Sequence, residues 1–127
     1  MPEQILSFRD LRVYQRAFDL QQAVFQISKT WPREEKFSLT DQLRRSSRSI
    51  GANLAESCAK RNYPAHFISK LTDADGELQE TSHWLSTAVA CEYINAGESV
   101  KLQTGIEEIG KKLGKMMSMP EKFSRDN

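Results

Sequence analysis

Long apolar runs are missing from this 127-residue chain. No stretch approaches the roughly 18 consecutive apolar residues that a membrane span requires, so no membrane partner is expected. The opening MPEQILSFRD lacks the basic-then-apolar layout of a secretory leader. Cysteine is scarce: Cys58 and Cys91 show no CxxC spacing and fall in expected helices, so they read as buried thiols of a cytoplasmic protein. No period-2 alternation suggests strands. A glycine-rich phosphate loop is absent too, since Gly76 stands alone in a helical stretch and Asn95-Ala96-Gly97 reads as a turn.

An excess of one charge is also lacking. The net charge of +1 does not advertise a nucleic-acid partner. Its distribution is uneven, however: residues 1–61 hold eleven Lys/Arg against seven Asp/Glu, and residues 62–127 hold seven against ten. That split suits a basic face on an assembly, or pairing between the two halves.

What remains is helix, in one domain over 1–127. Ser7, with Asp10 three residues on, predicts a cap for a first helix over about 8–29, which Pro32 ends. Ser38, followed by Asp41, predicts the cap of a second over about 39–60. Pro64 suits the first turn of a third over about 64–94, where Phe67, Leu71, Ala74, Leu78, Thr81, Leu85 and Ala88 keep one face apolar. Leu102, Ile106, Ile109, Leu113 and Met116 mark a fourth over about 98–119, closed by Pro120, with a disordered tail over 120–127. Gly105, Gly110 and Gly114 weaken that helix, and could serve to admit a neighbouring backbone. Short connections make sequential helices antiparallel, so the fold class is all-α, an antiparallel up-down-up-down four-helix bundle. The first helix carries two apolar stripes, one through Val13, Leu20, Val24, Ile27 and Trp31 and one through Leu11, Tyr14, Phe18 and Phe25. Together they exceed what one core uses, which predicts self-association.

The second helix raises the functional question. In QLRRSSRSIGANLAES three arginines sit among small residues, with Leu43, Ser47, Ile50 and Leu54 facing inward. Arg44 and Arg48 share a flank near Ala52 and Ala55, a surface another helix can approach closely. Asp73, Glu77 and Glu80 line an outward stripe of the third helix with Trp84 beyond, and arginine matches carboxylates bidentately. These eight residues are the expected interface and ion-pair set, with Arg44 and Arg48 pairing to the carboxylates across a helix contact, within one chain or between subunits. Arg45, on another flank, is expected to stay free for an anion. Together with Lys60, Arg61, Arg9, Arg12 and Arg16 it forms the nucleic-acid candidate set.

The segments FRDLRVYQRA, WPREEKFSLTDQLRRSSRSIGANLAES and FISKLTDADGELQETSHWL carry a resemblance over nearly the whole chain. It is similar to the small four-helix bundle proteins encoded by intervening sequences of large-subunit (23S) ribosomal RNA genes. The matching landmarks are Pro32, Glu35, Leu39, Gln42 to Arg45, Ser49, Ile50, Asn53, Ala55 and Glu56; Ser57 stands where that family has glycine. The resemblance implies a ring-like homopentamer and attaches no catalytic residues. A related branch, the accessory proteins of diversity-generating retroelements, resembles a basic pentamer that binds nucleic acid and a reverse transcriptase.

Sharper chemistry finds little support in the residues. Glu80 and His83 make a single Glu-x-x-His that points away from the core, where a di-iron bundle needs two such motifs facing inward. Neither cysteine has an obvious histidine partner in sequence. The expectation is therefore no catalytic residues, no cofactor and no metal. Two readings stay open: an oligomeric scaffold for protein interactions, or an RNA- or DNA-binding accessory whose basic patches repeat around the oligomer.

Overall fold

The structure is a computed structural model that describes residues 5–124. Four helices carry the chain: α1 (Arg12–Ile27), α2 (Asp41–Ala59), α3 (Pro64–Ala90) and α4 (Ala96–Ser118), with no strand among the described residues.

Antiparallel packing is written in the cross-helix contacts. Between α2 and α3, Arg45 meets Glu77, Ser46 meets Thr81 and Glu56 meets Lys70, so one helix counts up as the other counts down. Between α3 and α4, Thr72 lies by Met117 and Ser82 by Gln103. On the other side, Arg16 of α1 reaches Glu108 of α4, and Ser28, just beyond α1, meets Arg44 of α2. The four helices thus close a square around one core.

That core contains every inward position expected of α3 and α4: Phe67, Leu71, Ala74, Leu78, Thr81, Leu85 and Ala88, then Leu102, Ile106, Ile109, Leu113 and Met116. In α2, Leu43, Ser46, Ser47, Ile50, Leu54 and Ser57 are all buried. The serines satisfy their hydroxyls on the preceding turn, Ser46 on Leu43 O, Ser47 on Arg44 O and Ser57 on Leu54 O, so small polar side chains cost little there. Gly51 is also buried, and a Cβ on it would come within 3.4 Å of the Tyr14 ring. The small residues of α2 are slots for neighbours.

Boundaries differ from the sequence expectation in specific ways. Ser7 does cap, through a reciprocal box with Asp10, but it caps a 3-10 turn, Phe8–Asp10. Leu11 is then extended and drops into the core, so α1 starts only at Arg12. Ser38 caps nothing: a 3-10 turn at Arg33–Glu35 and a π-helical turn at Lys36–Thr40 run straight into α2. α3 stops at Ala90, followed by Glu92 with a left-handed φ of 63°. Asn95 and Glu98 form a capping box that starts α4 at Ala96. The tail expected to be disordered from 120 instead forms a 3-10 turn, Pro120–Phe123, whose Phe123 ring lies 5.7 Å from Phe67; residues 125–127 lie outside the described residues.

Three further expectations need correction. The second apolar stripe of α1 is largely covered within the chain: Leu11 is buried, Tyr14 stacks edge-on to Phe8 at 4.8 Å, and Phe25 lies beneath arginines, leaving Phe18 as the exposed member. Gly105 and Gly114 admit no close neighbour, since a Cβ on either meets nothing within 4 Å; Gly110 alone rests against Leu78. Of the two thiols, Cys58 is buried but Cys91 is exposed.

Candidate interaction surface on the second helix

α2 sits between α1 and α3, so its outward surface has two flanks. The arginines divide between them in the opposite sense to the expectation. Arg45 faces α3 and donates Nη1 to Glu77 Oε2 at 3.0 Å and Nη2 to Glu80 Oε2. Both bonds push its pKa further up, the one to Glu80 more. Glu80 also accepts from Trp84 Nε1 at 3.1 Å, and that bond first, then Arg45, holds its carboxyl below the ordinary range. The Trp84 ring meets His83 edge-on at 4.8 Å. Arg45, expected to be free, is the central ion-pair donor of this face.

Arg44 and Arg48, expected to make those pairs within one chain or between subunits, face α1 within the chain. Arg44 Nε donates to the buried Ser28 hydroxyl at 2.8 Å, and its guanidinium lies 4.8 Å from the Phe25 ring centre. Arg48 lies over the same ring at 5.6 Å, and Lys29 at 4.9 Å. Three cations around one aromatic ring help shield Phe25 from water, with Arg48 and Lys29 remaining exposed. Neither Arg44 nor Arg48 forms an ion pair among the described residues. Asp73 pairs with neither; it lies 3.9 Å from Lys70, whose main partner is Glu56 at 2.8 Å. That contact lowers the Glu56 pKa and raises that of Lys70.

Between the flanks lies a shallow groove of about 500 Å³ lined by Asp41, Arg44, Arg45, Arg48, Ser49 and Ala52. Ala52 is exposed and Ala55 half-buried, so the middle of the helix presents little bulk. The remaining basic candidates differ in their surroundings. Arg61 is buried, donating to Cys58 O at 3.2 Å, Cys58 Sγ at 2.9 Å and Ile5 O at 3.0 Å. Arg16 is shared between Asp19 and Glu108, and Arg9 stacks on Phe8 at 4.4 Å. Arg12 and Lys60 are exposed. Of the six candidates, Arg45, Arg61 and Arg16 are thus engaged by polar partners within the chain.

Ser28 and Phe25 were not singled out from the sequence, although they anchor Arg44. Ser28 follows the last turn of α1 and Phe25 belongs to its outer stripe, so a cation opposite them was the available signal. Among the described residues no three His, Cys, Asp or Glu side chains gather as a metal site.

A family model described as 23S rRNA-intervening sequence protein matches residues 9–115, from before α1 to near the end of α4. The chain is also similar to a crystal structure of a protein of unknown function from the S23 ribosomal protein family of Bacteroides thetaiotaomicron. The two share 30% sequence identity with a TM-score of 0.74, over 83% of this chain and 97% of that one. No curated protein matches significantly.

Proposed function

The chain belongs to the 23S rRNA-intervening sequence protein family, and from that premise we propose that it is a non-enzymatic scaffold that assembles with copies of itself, as a ring of five, and mediates protein interactions. The observation that carries this reading is the α2 groove. Small side chains floor it, and Arg44 and Arg48 stand on its wall without carboxylate partners among the described residues. A helix laid there brings its own carboxylates to two guanidiniums already oriented by Ser28 and Phe25, which reduces the ordering cost of contact. A ring needs a heterologous contact, in which such a groove receives a different surface of the next copy.

The alternative, RNA or DNA binding around the oligomer, draws support from exposed Arg9, Arg12 and Lys60. It is weakened because Arg45, Arg61 and Arg16 are occupied within the chain. Light scattering coupled to size exclusion tests the proposal. The parent is expected at the mass of five chains, and Ala52→Arg, which fills the groove from an exposed position, is expected to give smaller species with unchanged helix content. A parent that stays monomeric at micromolar concentration would falsify it, and nucleic acid co-purifying at low salt would favour the alternative.

A further inference from the structure

A second cavity, of about 430 Å³, opens at the seam where the start of α1 meets the end of α4, away from the α2 groove. Its walls are apolar: Ile5, Leu11, Val13, Met116, Met119 and Phe123. Four cations stand at its rim, Arg12, Lys112, Lys115 and Lys122, and none forms an ion pair among the described residues. The only carboxylate lining it among the described residues, Asp10, already accepts the backbone N–H groups of Ser7 at 3.0 Å and Leu6 at 2.8 Å.

Helix electrostatics explains part of this rim and not the rest. Lys112 and Lys115 lie in the last turns of α4, where a cation is favoured by the helix dipole. Arg12 is the first residue of α1, where a cation is disfavoured, and no acidic side chain in that turn offsets it. The convergence of all four calls for an anion.

The shape of the cavity limits what that anion can carry. One turn along the seam, Arg16 Nε bridges to Glu108 Oε1 at 3.6 Å and separates this cavity from another lined by Leu20, Ile27 and Leu102. Toward that side the slot ends, with no continuous track along the α1–α4 seam for an extended peptide or a nucleic-acid strand among the described residues. Among the described residues its lining includes no neutral polar side chain, so the ring nitrogens and carbonyls of a base would lose their hydrogen bonds to water and gain none there. An alkyl body loses nothing on entry, and two unbranched methionines let the wall adapt to it.

We infer that this slot binds an anionic amphiphile, with an alkyl or isoprenyl body between α1 and α4 and a phosphate or carboxylate head at Arg12, Lys112, Lys115 and Lys122. Dodecyl phosphate, used below its critical micelle concentration, is the probe. Calorimetry on the full chain is expected to show one site per chain. The exposed pair Lys115→Glu with Lys122→Glu should weaken binding by about tenfold or more with helix content unchanged, the thermal melt falling only by the small helix-dipole contribution of Lys115. Dodecyltrimethylammonium, with the same tail and the opposite head, should not bind, and inorganic phosphate should not displace the probe. Co-sedimentation with phosphatidylglycerol vesicles identifies a membrane lipid as the source of the amphiphile, whereas binding of the monomeric probe alone identifies a free one. No binding, equal binding to the cationic analogue, or equal binding by the doubly reversed variant overturns the inference.

Discussion

The hydroxyls of Ser46 and Thr81 meet at 2.9 Å in the middle of the α2–α3 interface, and neither side chain exposes any surface. Ser46 donates to Leu43 O and accepts from Thr81, whose single proton is shared between Ser46 Oγ and Glu77 O, so the pair is satisfied on both helices. Its smallness sets how closely α2 and α3 approach. Ser46→Leu should overpack this contact and cost about 1–3 kcal/mol. Thr81→Val keeps the shape and removes the donor, costing about 1 kcal/mol. Urea unfolding measures both, and a neutral Ser46→Leu would show that the interface has room to spare.

Arg45 and Arg44 should differ in how salt affects them. Arg45 is half-exposed and works by ion pairing to Glu77 and Glu80, so Arg45→Ala should cost only about 1 kcal/mol, less at about 1 M salt. Arg44→Ala removes a bond to buried Ser28 and uncovers Phe25, a loss of about 1–2 kcal/mol that salt should leave nearly unchanged. Thermal melts of both variants at low and high salt decide the matter; equal salt sensitivity would count against this division of roles.

The same face has a pH signature. Trp84 and Arg45 hold the Glu80 carboxyl below its ordinary 4.5, so its contribution is present above that pH and is lost as pH falls through the lower, folded value. Glu80→Gln should flatten the acid limb of the stability curve, and an unchanged limb would place the acid sensitivity elsewhere.

Tyr93 gives the alkaline counterpart. Its hydroxyl donates to Glu35 Oε2 at 2.7 Å, and ionising it beside that carboxylate is unfavourable, which pushes its pKa up from 10.0 to about 12. The group is neutral in the stabilised form, so its contribution is complete below pH 10 and is lost between 10 and about 12. Ultraviolet titration should show one late phenol that disappears in Tyr93→Phe and moves earlier in Glu35→Gln.

Arg61 ties the chain before α1 to the end of α2. Because its guanidinium is buried on the carbonyls of Cys58 and Ile5, Arg61→Ala should cost about 1.5–3 kcal/mol and open the segment around Ile5 to proteolysis. Limited digestion with mass spectrometry reads the cleavage site; protection equal to the parent would mean that Ile5 is held by packing alone.

Periodicity alone determined which residues of α3 and α4 enter the core, because a helix turns about 100° per residue whatever surrounds it. It also showed α2 as a slim helix, and the short connections between helices as antiparallel turns. The Asn95–Glu98 box is local chemistry too, yet Asn95-Ala96-Gly97 reads as a turn in the sequence, because a glycine two residues after the cap suggests a break as readily as a helix start. Tertiary structure decided the rest. A helical wheel separates Arg44 and Arg48 from Arg45 by angle, but it does not say which flank faces α1 and which faces α3. That depends on the handedness of the bundle, a property of how four helices close around one core. The flank toward α3 found carboxylates at Glu77 and Glu80, and the flank toward α1 found only Ser28 and the Phe25 ring. The same closure carried Arg12 of α1 to the lysines at the end of α4, which lie about a hundred residues away along the chain and share no local signal with it.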